Sequence, residues 1–342
     1  MAEPIFLAAN NPDLGGGERM LLRHAEVLTD LGRRAVVVSA AGELLEIARR
    51  EGFETVEVVD GDRPTYMRHL RTWDRRERDG LLWCHGLVPS MATAGHRGRV
   101  VHLHQQPQSA PQEAALALAR RPARAVLVPS RAMTRDVSRA RVHLNWTEEL
   151  PLLGRPDRAE VLRIGFIGRL TTEKGLDVLA RAGSVLAQAG HTVQLVVAGD
   201  DRHVPAERRD RVLTALKDSR AEVELVGQVE RAEVLTRVDV AVFPSVASEP
   251  FGLVAAEAMA SGVPFVISDA GALPEVAGPD HPWIARSGDA DDLARVIGEA
   301  LATPEDDVRA VTDRARARWE EMYSPEAGRE RVHALLDDLG VS

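Results

Sequence analysis

Residues 243–262 read Phe243-Pro244-Ser245-Val246-Ala247-Ser248-Glu249-Pro250-Phe251-Gly252-Leu253-Val254-Ala255-Ala256-Glu257-Ala258-Met259-Ala260-Ser261-Gly262. A strand is predicted to end at Phe243-Pro244, and a loop then carries Glu249. A helix is predicted to start near Pro250 to Gly252, where proline is tolerated and glycine admits close approach of a ligand. The N–H groups of Leu253 and Val254 would then form an anion site at the positive end of a helix dipole. The rest of this helix is apolar on nearly every side, so it is expected to be buried all round. Glu257 lies within it, and a buried carboxylate needs a partner. Ribose hydroxyls, the helix dipole or a nearby arginine could each supply one.

Outward from this stretch, short Val/Ile/Leu runs alternate with amphipathic segments, the pattern of parallel βαβ units. In the first half the strand candidates are 5–9, 35–39, 55–59, 81–84, 100–103 and 125–128. Their continuous apolar runs suit strands covered on both faces. Leu21, Leu22, Ala25 and Leu28 predict a helix from Glu18 to Leu31, ended by Gly32. Residues 145–160 break the rhythm with Asn145-Trp146-Thr147-Glu148-Glu149-Leu150-Pro151 and Gly154-Arg155-Pro156-Asp157-Arg158, and read as a linker. A second series follows at 163–167, 193–198, 223–226, 240–243 and 264–268. The expected architecture is α/β, two doubly wound sheets that bind ligands at the carboxyl ends of their strands. We divide the chain into an N-terminal domain, 1–154, a C-terminal domain, 155–320, and a terminal helix, 321–342, that starts at Ser324-Pro325.

A length of 342 residues fits two domains, and 44% apolar with 28% charged residues is too apolar for disorder. The first residues lack the features of a signal peptide and no run approaches eighteen apolar residues, so a cytoplasmic protein is expected. Cys84, the single cysteine, sits in an apolar strand candidate and reads as a packed residue. Residues 1–154 carry 21 Lys+Arg against 19 Asp+Glu, whereas the remainder carries 22 against 33. An acidic balance argues against nucleic-acid binding. Seven arginines between Arg120 and Arg141 could attract an anionic acceptor or a lipid surface, or form a solvated helix face.

Glu249, Pro250-Phe251-Gly252, Glu257 eight positions after the first glutamate, and Ala258-Met259-Ala260 before Gly262 resemble glycosyltransferase family four, the retaining enzymes with the GT-B fold also described as glycosyl transferases group one. The resemblance implies two Rossmann-like domains facing across a cleft, the first for the acceptor and the second for a nucleotide-diphosphate sugar, with the terminal helix crossing back to the first. Glu249 would bind donor-sugar hydroxyls and Glu257 the ribose, with Phe251, Gly252, Leu253 and Val254 between them in the donor site. Ile167-Gly168-Arg169-Leu170-Thr171-Thr172-Glu173-Lys174-Gly175 is a second match. Two cations five residues apart can reach one diphosphate, and Lys174 is one of only two lysines beside 41 arginines. By the resemblance, Arg169 and Lys174 neutralise the leaving diphosphate.

Further matches follow in family order. Gly16 and Gly17, in the stretch from Asn11 to Glu18, resemble the glycine-rich loop that approaches the donor phosphate. Gly227-Gln228-Val229 resembles the turn that meets the nucleobase, through Gly227 and Val229. Gly271-Ala272-Leu273-Pro274-Glu275 resembles a Gly-Gly-Leu-Pro-Glu segment with Ala272 for the second glycine. His104 resembles the active-site histidine, although Gln105 follows where aspartate is usual; His85 and His102 are neighbouring candidates.

The sequence shows no clustered Cys/His pattern, so neither a metal site nor a cofactor is expected. Asp289-Ala290-Asp291 reads as a helix cap. The implied activity is retaining transfer of a hexose from a nucleotide sugar to an acceptor hydroxyl, without a metal. A nucleotide-sugar epimerase or hydrolase of the same fold, and a non-catalytic partner subunit, are the alternatives. The acceptor is expected to be read by loops at 60–79 and 105–112.

Overall fold

The computed structural model describes residues 3–11, 14–59, 61–153, 160–199, 201 and 204–341. Pro12 and Asp13 of the glycine-rich stretch, Asp60, and Gly154 to Arg158 of the turn-rich stretch lie outside the described residues. The chain divides into two compact units, residues 1–145 with 326–342, and residues 146–325.

Unit 1 runs β1 (Ile5–Ala8), α1 (Gly16–Asp30), β2 (Ala35–Ala40), α2 (Glu43–Arg50), β3 (Glu54–Val58), α3 (Arg63–Arg76), β4 (Leu81–His85), α4 (Leu87–Ala92), β5 (Arg99–His102), α5 (Ala110–Ala119), β6 (Ala125–Val128) and β7 (Arg141–Val142). These strands form one parallel sheet in the order β3-β2-β1-β4-β5-β6-β7. The order reverses between β1 and β4, a topological switch point where doubly wound sheets place their ligands. In α1 the apolar stripe Leu21, Leu22, Ala25 and Leu28 is buried, and Gly32, at φ +72°, supplies the left-handed residue that closes the helix.

Unit 2 runs β8 (Val161–Ile167), α6 (Leu176–Gln188), β9 (Thr192–Ala198), α7 (Ala206–Lys217), β10 (Glu222–Gly227), α8 (Arg231–Leu235), β11 (Val240–Phe243), α9 (Leu253–Ser261), β12 (Phe265–Ser268), α10 (Leu273–Ala277), β13 (Ile284–Ala285), α11 (Ala290–Ala302) and α12 (Glu305–Met322). Its parallel sheet has the order β10-β9-β8-β11-β12-β13, with the reversal between β8 and β11. The last helix, α13 (Pro325–Asp338), begins at the proline after Ser324. It joins unit 1, where Asp338 pairs with Arg141 and the carbonyl of Leu339 accepts from Arg124 at 2.9 Å.

The two doubly wound sheets are as expected, and four local readings are corrected. Residues 60–79 are largely helical, because Asp62 accepts from the Thr65 N–H at 2.9 Å and Tyr66, Leu70 and Trp73 bury one face of α3. The stretch 105–112 likewise enters α5 at Ala110. The arginines from Arg120 to Arg141 do not share a helix face: they span β6, a 3-10 turn at Ala132–Arg135 and β7. Arg120 is spent on the Ser138 carbonyl at 3.1 Å. Strand β3 is partly exposed rather than covered on both faces, since it is a sheet edge. Two short edge strands, β7 and β13, carry too few residues to show any periodicity.

Candidate functional site

In unit 2 the loops leaving β8 and β11, the two strands at the switch point, carry Lys174 and Glu249. Lys174 ends a 3-10 turn, Thr172–Lys174, whose Thr171 hydroxyl caps the Lys174 N–H at 3.4 Å. Glu249 lies in the loop between β11 and α9. The two side chains form an ion pair, and Ser245 Oγ donates to the same Glu249 Oε1 at 2.7 Å.

Close backbone packing brings these loops together. Gly175 has φ +72°, and a Cβ there would lie 1.9 Å from the Pro244 carbonyl oxygen. Only glycine allows that approach. The N–H groups of Val246 and Ala247 donate to the Glu173 carbonyl at 2.9 and 3.1 Å, while Ser268 Oγ holds the Ser245 carbonyl at 2.7 Å. From the other side, Gly271 turns at φ +60° against the Glu249 backbone, and the Ala272 N–H donates to the Glu249 carbonyl at 2.9 Å. Ala272 itself is right-handed helical and buried, so its side chain replaces the usual glycine without strain. Gly175→Ala is expected to destabilise unit 2 by about 1–3 kcal/mol, from backbone strain and the carbonyl clash. An unchanged thermal midpoint would show that the loops are not held in this way.

The helix after Glu249 starts at Leu253, later than the proline suggested. Gly252, at φ +98°, is its N-cap and offers no side-chain cap. Among the described residues, the N–H groups of Leu253 and Val254 have no acceptor. They are left as donors at the positive end of α9. Phe251 is buried and meets Tyr323 edge-on at 5.4 Å between ring centroids, anchoring the loop. Glu257 is 8% exposed among buried alanines and Met259, and Arg231 Nε donates to its Oε2 at 2.9 Å. Of the partners considered for Glu257, an arginine is present. Arg169 stands exposed in the turn after β8, and no side-chain partner holds it among the described residues. Gly227, at φ +72°, ends β10 with open space where a Cβ would sit, and Val229 follows it half-buried. Asp289 caps α11 by accepting from the Asp292 N–H at 2.9 Å, as expected.

In unit 1 the residues singled out in sequence converge on the carboxyl ends of β1, β4 and β5. Gly16 opens α1, and a Cβ on Gly17 would lie 3.2 Å from the His104 ring. This glycine therefore lets the helix start rest on His104. His104 Nε2 and His85 Nδ1 share a hydrogen bond at 2.9 Å, and the His102 ring lies tilted beside His104 with ring centroids 4.3 Å apart. His24 Nε2 and His143 Nε2 lie 3.1 Å apart in the same unit, and the His24 ring centroid is 4.5 Å from that of Trp83. The absence of a clustered histidine pattern in the sequence is thus corrected by the fold. Burial drives the pKa of His104 down to about 4 and that of His143 down to about 3, and holds His24, His85 and His102 well below the ordinary histidine value.

One nitrogen each of His85, His102 and His104 lies within 4.8 Å of the other two, a spacing a transition-metal ion could use. A neutral imidazole, however, has one lone-pair nitrogen. The His85–His104 bond occupies one such lone pair, and Trp83 Nε1 donates toward His102 Nδ1 at 3.4 Å. Two imidazole pairs, His85–His104 and His24–His143, lie in the cluster, and His85 Nε2, His102 Nε2 and His104 Nδ1 are buried without a hydrogen-bond partner among the described residues.

Sequence reading did not find Arg231, Ser245, His24 or His143. For Arg231 there was a signal: a glutamate in an apolar helix requires a cation. For the two histidines there was none, because they meet across 119 positions of sequence.

Two parallel doubly wound units, the second with a lysine and a glutamate meeting at its switch point, define a protein of the GT-B class. The chain aligns over 98% of its length with Anabaena HepE, crystallised with UDP-glucose, covering 99% of that chain at a TM-score of 0.84 and 20% identity. It also aligns with sucrose-phosphate synthase of Thermosynechococcus elongatus, at 0.79 and 19% identity over 99% of both chains. Residues 162–303 match the family model of the glycosyl transferases group 1. Among relatives, it is 44% identical over 97 residues to the MMP alpha-(1->4)-mannosyltransferase of Mycolicibacterium hassiacum, 28% of this chain and 23% of that protein. It is 31% identical over 201 residues to the D-inositol 3-phosphate glycosyltransferase of Corynebacterium jeikeium, 55% of this chain and 45% of that one. The chain thus spans less than half the length of these relatives. Among the described residues, no helix is long and apolar enough to cross a membrane.

Proposed function

We propose that the chain is a retaining, metal-independent hexosyltransferase that uses a nucleoside-diphosphate sugar, in the first instance a UDP-sugar. The observation that carries this reading is the Lys174–Glu249 pair at the β8/β11 switch point, with Glu249 four positions before the uncapped start of α9. The relatives and HepE, with its UDP-glucose, support the donor class.

On binding, the pair exchanges partners. A sugar hydroxyl donates to Glu249 while a diphosphate oxygen accepts from Lys174, so neither charge is left unpaired in half-buried surroundings. As the bond from the anomeric carbon to the diphosphate oxygen breaks, negative charge grows on the diphosphate. Lys174, Arg169 and the Leu253 and Val254 N–H groups are assigned to hold that charge, and the loop hydrogen bonds spare the site reorganisation. The acceptor oxygen bonds to the anomeric carbon on the same face and passes its proton to the departing phosphate.

Glu257 is assigned to the ribose, and Gly227 and Val229 to the base. In unit 1, Gly16, Gly17 and His104 are assigned to donor phosphate and sugar by the family resemblance. His104, neutral at pH 7, acts there as a hydrogen-bonding group and not as a cation. The acceptor is assigned to unit 1, where exposed Arg135 and Arg139 suit an anionic or lipid-linked molecule at a membrane surface. Cys84, a buried free thiol, suits the cytoplasm.

Calorimetry and thermal shift with UDP, GDP, ADP and TDP, then with their sugars, test the reading. One base is expected to bind saturably, stabilising the protein by about 2.7 kcal/mol at a hundredfold excess over Kd. Lys174→Met should weaken that diphosphate about 10- to 100-fold while leaving the nucleoside unchanged. Failure of all four diphosphates to bind would dismiss the donor site.

A further inference from the structure

We propose that Arg231 is a positioning residue that makes the site selective for ribonucleotide over deoxyribonucleotide donors, by holding Glu257 with one carboxylate oxygen left for the ribose hydroxyls. The inference rests on the donor reading above. Glu257 is 8% exposed on α9, and its helical neighbours Ala255, Ala256, Ala258 and Met259 offer no side-chain donor. Among the described residues, the side-chain hydrogen bond to Glu257 comes from Arg231 Nε, at 2.9 Å to Oε2.

A carboxylate has roughly four acceptor positions. One N–H on Oε2 leaves Oε1 and a second lone pair of Oε2 unclaimed. Two vicinal hydroxyls, each an O–H donor, match that remainder. Arg231 is also the first residue of α8, four positions after Gly227. One side chain therefore connects the turn assigned to the base with the carboxylate assigned to the ribose.

Without Arg231 the carboxylate would keep its place on an apolar helix but lose the side-chain partner it has among the described residues, and would turn outward. That change removes the acceptor of the diol. The contact is made by Nε, on the inner edge of a planar guanidinium, which a lysine cannot reproduce. A merely neutralising ion pair would affect stability and would affect all nucleotides alike. A positioning role affects only those that carry the hydroxyls.

The test measures Kd by calorimetry for the best-bound nucleoside diphosphate and its 2′,3′-dideoxy analogue, with wild type and Arg231→Gln. Wild type is expected to prefer the ribonucleotide by about 10- to 30-fold, the scale of one or two hydrogen bonds to a charged group. Arg231→Gln should lose about tenfold for the ribonucleotide and bind the dideoxy analogue within about twofold of wild type. Arg231→Lys, which keeps a cation beside Glu257, should show an intermediate preference, and it carries the comparison if the glutamine variant is too unstable to assay. A preference unchanged from wild type, or equal losses for both nucleotides, overturns the role of Arg231 alone. Absence of any nucleoside-diphosphate binding to wild type overturns the donor reading and this inference with it.

Discussion

Glu249→Gln is expected to lower kcat/KM for donor turnover by about 10²- to 10³-fold, or roughly 2.7–4 kcal/mol of transition-state stabilisation. Glu249 Oε1 receives both Lys174 and Ser245 Oγ, and the loop bearing it is tied to the Glu173 carbonyl, to Ser268 and to Ala272. Glutamine keeps the shape but places an amide where a charge was. It leaves Lys174 without its counter-charge and gives the sugar hydroxyl a weaker acceptor. Because no acceptor is needed for slow hydrolysis of the donor, release of nucleoside diphosphate measures the effect. Circular dichroism and nucleotide affinity separate it from a folding defect. A kcat/KM within about threefold of wild type would remove Glu249 from the chemistry.

Unit 1 is expected to lose about 4–6 kcal/mol of stability between pH 7 and pH 5.5, before most carboxylates titrate. His24, His85, His102, His104 and His143 are all held neutral by burial, with His104 down to about 4 and His143 down to about 3. A histidine whose folded pKa lies below its unfolded value of about 6.5 takes up a proton on unfolding. Its contribution to stability is therefore complete above pH 6.5 and is lost as the pH falls toward the folded pKa. Each such group contributes on the order of 1 kcal/mol over this interval, and five act together. Since two units can unfold separately, the readout must be local: hydrogen exchange in α1, β4 and β5 against pH. Proton uptake below one per unfolding event in unit 1 would show that the imidazole cluster is not buried and neutral.

The part of the candidate site proposed for the donor was largely legible because its signals are local. Glu249, Gly252 and Glu257 lie within nine residues, and the relation of a loop carboxylate to a helix start and a buried helix position follows from a 3.6-residue period. The same holds for Lys174 at the end of its turn and for Gly32 after α1. The reading was less secure where a segment is short or polar. Helix α3 reads as a loop in sequence because ten of its fourteen residues are Arg, His, Thr, Asp or Pro; its three buried aromatic and aliphatic residues, one turn apart, suffice to dock it. Strands β7 and β13 are two residues each, and pairing with a neighbour alone defines them.

Sequence by itself determined the alternation of strands and helices, the doubly wound architecture, and which residues stand at strand ends. Those properties depend on side-chain size and polarity along a few consecutive residues. Tertiary structure alone decided which of these residues meet. Lys174 and Glu249 are separated by 75 positions, Arg231 and Glu257 by 26, and His24 and His143 by 119. Each pair is brought together by strand order and by backbone contacts such as Gly175 on Pro244, which no periodicity encodes. The Phe243 to Gly262 stretch thus specified its own helix and its two glutamates, while the cations that hold those glutamates came from the turn after β8 and from the start of α8.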